Sequence, residues 1–181
     1  MTVTTIIEGC KRKDPRCQRA LVLKFSGLLL SVARRYTPDN FTAQDILQDS
    51  LVRILQRIDQ YGGNGSFEGW MRRVVINVAL SRLDRKWVRR EVPSSHVRDD
   101  RSTEPVALSQ LATEDIMRCV ADLPDGYRQI FSLYAVEGFS HREIAQMLGC
   151  TEGNSRSQYT RARRALQTLL IDRKIVARHA K

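Results

Sequence analysis

The sequence predicts an all-α protein of two small helical domains, an N-terminal bundle and a C-terminal four-helix domain, joined by a flexible linker. Three observations carry this reading. Apolar residues recur at helical spacing in both halves, with no strand-like alternation, so their side chains line helix faces. From Glu91 to about Leu108 periodicity vanishes and Pro, Ser, Asp and Arg dominate, a composition unable to bury a core. Near the C-terminus two capping residues flank a glycine in the order that builds a helix-turn-helix.

Asp14-Pro15 reads as an N-cap followed by proline in the first turn, and Leu21, Phe25, Leu28 and Val32 form an apolar stripe that Thr37-Pro38 ends. Thr42 and Asp45 have the layout of a capping box, ahead of a second helix whose buried stripe is Leu47, Leu51, Ile54 and Ile58. The run Tyr61-Gly62-Gly63-Asn64-Gly65 breaks the pattern. Ser66 then caps a third long helix with Phe67, Met71, Val74 and Val78 toward the core, which ends in a basic run from Arg85 to Arg90. Trp70 is read as core. Residues 14–90 thus form the first domain, 1–13 an extension of no assigned role, and 91–109 the linker. The second domain spans 110–172, before a basic tail at 173–181. Its first helices carry Ile116, Val120 and Leu123, then Tyr127, Ile130, Phe131 and Tyr134 from about Pro124 onward.

The helix-turn-helix spans His141 to Thr160. Ser140 caps a short helix from His141 to Leu148, Gly149 supplies the turn, and Thr151 caps a helix bearing Arg156, Arg161, Arg163 and Arg164. Ile144, Ala145 and Leu148 suit its inner face. Such a second helix fits the major groove with its first turns at base edges. Asn154, Ser155 and Gln158 are the base-edge candidates, and Arg156, Arg161 and Arg163 the phosphate candidates. The competing reading is a helical hairpin with a solvated basic face.

Thirty Lys and Arg against 20 Asp and Glu leave a formal charge of +10, which favours a polyanionic partner, nucleic acid ahead of an anionic membrane. The apolar segment from Ala20 to Ala33 is interrupted by Lys24 and is shorter than a bilayer crossing, so no integral membrane segment and a cytoplasmic location are expected. Cys10, Cys17, Cys119 and Cys150 lack the close spacing of a zinc site and are read as reduced and structural. His96, His141 and His179 are scattered singly, so no metal and no cofactor are expected. Asp45 and Asp49 share a helical face with Gln48, an acidic patch in a basic chain. A solvated face, a docking surface for cations and a carboxylate pair for metal or acid-base chemistry are all open to it. No further carboxylate, histidine or nucleophile is tied to the pair, which disfavours an enzyme.

Leu123-Pro124, Glu137-Gly138-Phe139-Ser140, Glu143-Ile144-Ala145, Leu148-Gly149 and Arg161-Ala162-Arg163 resemble, in order, the C-terminal domain of extracytoplasmic-function (ECF) sigma factors of the sigma-70 family. The run from Gln44 to Leu51 resembles that family's core-polymerase docking helix. Phe67, Trp70, Arg73, Asn77, Ala79-Leu80 and Asp84 resemble its promoter-melting helix. The resemblance covers most of residues 15–170, and the short linker fits a subgroup that lacks the middle domain of larger sigma factors. It implies a sigma factor that brings core RNA polymerase to promoter DNA and makes no bond itself. Asp45, Gln48, Asp49 and Val52 would meet the clamp helices of the largest polymerase subunit. Tyr61, Asn64, Arg73, Asn77 and Arg85 would meet the melted minus-ten element, with a flipped base held in the loop from Tyr61 to Ser66. The helix-turn-helix would read minus thirty-five as duplex. An anti-sigma protein is a further implied partner. Where the family most often carries Thr-Val-Lys-Ser-Arg-Leu, this chain has Asn154-Ser155-Arg156-Ser157-Gln158-Tyr159, so the promoter sequence does not transfer. The rival function is a stand-alone helix-turn-helix regulator whose N-terminal bundle senses or dimerises.

Overall fold

Asp14 begins the longest helix of the N-terminal half by accepting a hydrogen bond from the Arg16 amide, with Pro15 in the first turn where its missing donor costs nothing. The computed structural model in which this is seen describes residues 1–37, 39–82 and 113–173. The expected linker at 91–109, the basic run Arg85 to Arg90 and residues 174–181 of the expected tail lie outside the described residues. Two compact units are present, Met1–Leu83 and Asp84–Lys181.

The first unit holds α1 (Val3–Lys11), α2 (Pro15–Arg34), α3 (Asn40–Arg57) with a 3₁₀ turn over Ile58–Gln60, and α4 (Phe67–Arg82). Helix α2 is central, packed on α1, α3 and α4. Its buried stripe is Leu21, Phe25, Leu29 and Val32, each stabilising the unit by roughly 1.5–3 kcal/mol on removal from water. Leu29 takes the place expected for Leu28, which is half-buried. Likewise α3 buries Ala43, Ile46, Ser50 and Ile54, while the expected Leu47 and Leu51 are half-buried, and Val75 and Ile76 of α4 are buried where Val74 is not.

Two further corrections concern helix starts. The cap of α3 is Asp39, not Thr42: its carboxylate accepts from the Phe41 and Thr42 amides at 3.3 and 2.7 Å and from the Thr42 hydroxyl at 2.6 Å. The Thr42 hydroxyl, then its amide, hold the Asp39 carboxyl below its ordinary range. Residues 1–13, given no role from sequence, contain α1, which buries Ile6, Gly9 and Cys10 against the rest of the unit. The approach is close enough that a Cβ on Gly9 would lie 2.1 Å from Cys17 Sγ. Burial, with the adjacent Cys17, pushes the Cys10 thiol up to about 11.

The second unit holds α5 (Thr113–Ala121), α6 (Asp125–Phe131) running into a π-helical turn at Ser132–Val136, α7 (His141–Leu148) and α8 (Glu152–Asp172). Helix α8 packs against α5, α6 and α7. Buried Arg128 ties the α5–α6 corner, donating to the Ala121 and Leu123 carbonyls at 3.0 and 3.1 Å and pairing with Asp125. No helix among the described residues is long and apolar enough to cross a membrane.

Candidate nucleic-acid interface

Local capping chemistry builds the helix-turn-helix where the sequence places it. The Ser140 hydroxyl accepts from the Glu143 amide at 3.3 Å and the Glu143 carboxylate accepts from the Ser140 amide at 2.9 Å, a closed capping box at the start of α7. Gly149 ends α7 with φ 70°, and Thr151 caps α8 by accepting from the Asn154 amide at 3.1 Å. Ile144, Ala145 and Leu148 of α7 are buried, as expected.

On α8 the expected base-edge set divides. Ser155 is 0% exposed and Gln158 6% exposed, so both belong to the inner face with Ala162, Leu166 and Leu170. Their assignment to base edges is corrected on that ground. Ser155 Oγ instead lies 2.9 Å from His141 Nδ1, linking the two helices of the motif. Asn154 remains partly open, Arg156 and Arg163 are exposed and Arg161 is half-buried. Arg156 pairs with Glu152 one turn back, and this hydrogen bond holds the Glu152 carboxyl below its ordinary range.

Sequence reasoning missed the support beneath α8. The His141 ring stacks on Tyr134 with centroids 4.2 Å apart, and Tyr159 packs on Tyr134 at 4.5 Å. Desolvation, then the Arg156 cation, lower the His141 pKa below the ordinary 6.5. A tyrosine in the helix before the motif and a histidine just after its cap were the available signal.

In the first unit, Asp45, Gln48, Asp49 and Val52 lie on the outer side of α3, with Gln48 and Val52 exposed. Arg82, at the end of α4, pairs with Asp49 and lies 3.7 Å from Asp45, a tie that no spacing rule within one helix reveals. Tyr61, Phe25, Phe67 and Trp70 form one aromatic cluster, with Tyr61 and Phe67 5.1 Å apart and Phe67 and Trp70 5.7 Å apart. The Tyr61 hydroxyl donates to the Gly65 carbonyl at 2.8 Å, closing the loop that exposes Asn64. Lys11 of α1 reaches the Tyr61 carbonyl at 3.5 Å. Arg73 and Asn77 are exposed one turn apart on α4, while Arg85 lies outside the described residues. Among the described residues no group of three or more His, Cys, Asp or Glu is disposed to hold a metal ion.

Comparison with known proteins gives two family matches, sigma-70 region 2 over residues 21–89 and sigma-70 region 4 over residues 113–166. The ECF RNA polymerase sigma-E factor of Salmonella typhimurium is 26% identical over 180 residues, covering 92% of this chain and 93% of that protein. The RNA polymerase sigma-H factor of Pseudomonas aeruginosa is 27% identical over 179 residues, covering 91% and 92%. Among solved structures, the sigma factor RpoE in complex with the anti-sigma factor NepR, from Bartonella quintana, has a TM-score of 0.52 at 25% identity, covering 84% of this chain and 95% of that one. CnrH, in complex with the cytosolic domain of CnrY, shares the fold at a TM-score of 0.50 and 21% identity, covering 93% and 96%. A region-two bundle followed by a region-four helix-turn-helix defines a bacterial transcription initiation factor. The chain belongs to the sigma-70 family of RNA polymerase sigma factors, in its ECF subgroup.

Proposed function

We propose the following division of labour for a sigma factor that directs promoter-specific initiation by core RNA polymerase. The outer face of α3, with Asp45, Gln48, Asp49 and Val52, docks on the clamp helices of the largest polymerase subunit. Asn64 at the tip of the glycine loop, with Arg73 and Asn77, faces the melted minus-ten element, and Tyr61 braces that loop from inside. Helix α8 enters the minus-thirty-five major groove, with Asn154 near base edges and Arg156, Arg161 and Arg163 toward phosphates. Binding melted DNA at one site and duplex at the other lowers the free energy of the open complex relative to the closed one. RNA synthesis belongs to the core enzyme, and this subunit acts in the cytoplasm without a catalytic group of its own. Because RpoE of Bartonella quintana is found with an anti-sigma factor, we infer a partner of that kind here as well.

The observation that carries this reading is the separation of surfaces. An acidic helix face sits on one unit of a basic chain, and an arginine-bearing second helix of a helix-turn-helix sits on the other. Purified protein mixed with core polymerase and genomic fragments should yield discrete transcription start sites. Binding to DNA without start-site selection by core enzyme would instead establish a stand-alone regulator.

A further inference from the structure

We propose that Phe41 is an anchor for core RNA polymerase, extending the docking face of α3 by one turn toward its N-terminus. This rests on the reading that the outer face of α3 meets the enzyme. Phe41 is 72% exposed and Val52 54% exposed, both among the most open large apolar side chains of the described residues. At 100° per residue, Phe41, Asp45, Gln48 and Val52 fall within about 60° of one another around the helix. They lie directly opposite the buried Ala43, Ile46, Ser50 and Ile54. The stripe is therefore apolar at both ends, about 16 Å apart along the axis, with the Asp45 carboxylate between them and Asp49 at its flank.

Single exposed apolar residues are ordinary. Here the two bracket the acidic segment on a face where α3 contributes nothing to its own core. Nor does the Phe41 ring help to start the helix, because the Asp39 cap uses only its backbone amide. The surface that fits is helical, with a cation at its centre to share Asp45 and Asp49 with Arg82, and an apolar depression at each end. Aromatic side chains desolvated in such depressions dominate interface energetics, while exposed charge pairs contribute mainly steering and register.

Labelled wild-type protein, Phe41→Ala, Phe41→Leu, Asp49→Ala and Val52→Ala are titrated against core polymerase at low and high salt, with thermal melting of each variant alone. Phe41→Ala should weaken binding about tenfold at both salt concentrations, a loss above the cost that typical interface truncations reach. Phe41→Leu should recover most of it, and melting should not change. The Asp49→Ala loss should shrink as salt rises, because its attraction is screened. If Phe41→Ala binds like wild type while Asp49→Ala is weakened, the Phe41 anchor is wrong and the docking face stands. If Phe41→Ala, Asp49→Ala and Val52→Ala all bind like wild type, the docking face falls and takes the anchor with it. Should Phe41→Ala leave core binding intact but abolish self-association in sedimentation, the occupant is a second copy and the proposal is overturned.

Discussion

Gly149 sits at φ 70° between the helices of the DNA-binding motif, and a Cβ placed there would meet no atom within 4 Å. The cost of any other residue is thus purely one of backbone conformation, which for a left-handed alanine is about 1–2 kcal/mol. Gly149→Ala should lower stability by that amount in urea unfolding, with Gly149→Asn milder because asparagine tolerates this region. His141 supports a second prediction. Its folded pKa lies below the unfolded value, so over that interval the unfolded chain binds more protons and stability rises with pH. The contribution is complete above the ordinary 6.5 and is lost as pH falls through that value toward the folded one. The charged groups around the ring are Arg156 and Glu152 of α8 and neighbouring Arg142 and Glu143, with Tyr134 stacked on it and Tyr159 tilted against it. His141→Phe keeps the stack and removes the titration. Its melting temperature should therefore vary less with pH across mildly acidic buffers than that of wild type, and parallel profiles would assign the dependence to another group.

At the scale of elements, α1 is attached to α2 where Gly9 lies against Cys17. A methyl group at Gly9 would overlap both Cys17 Sγ and Cys17 Cβ, so Gly9→Ala should part α1 from the bundle. Amide exchange should then accelerate over Val3–Lys11 and in the first turn of α2, while α6 to α8 keep their protection. Helices with chemically distinct ends were legible in the sequence: Asp14-Pro15, Ser140, Gly149 and Thr151 all act where residue type alone places them. Stripes through consecutive apolar residues were not. In Leu28-Leu29-Leu30, Ile46-Leu47 and Val74-Val75-Ile76, spacings of three and four residues fit equally well, and only the packing partner selects the inward side chain. Ser155 and Gln158 failed for the opposite reason. Their polarity suggested the outer surface, yet counting back from Leu170 through Leu166 and Ala162 at helical period leads to them. The Arg82 tie to Asp45 and Asp49 joins residues 33 or more apart in sequence and had no local signature.

For the whole molecule, the proposed division of labour puts two modest DNA contacts on one chain, where they would act together through effective concentration, so weakening either should impair promoter complexes out of proportion to its own affinity. Replacing Arg161 and Arg163 together with Ala should weaken promoter binding and flatten its logarithmic salt dependence by about two if each neutralises one phosphate. An unchanged slope would remove both from the phosphate set. The inward side of α8 holds Ser155, Gln158, Ala162, Leu166 and Leu170, whereas Gly153, Arg156, Arg163 and Arg164 are exposed on its other sides. The two sets share no residue. On the proposed reading of α8, its outward side chains can therefore be exchanged, and promoter affinity changed with them, while the packing beneath is untouched, so that a new regulon requires no new architecture.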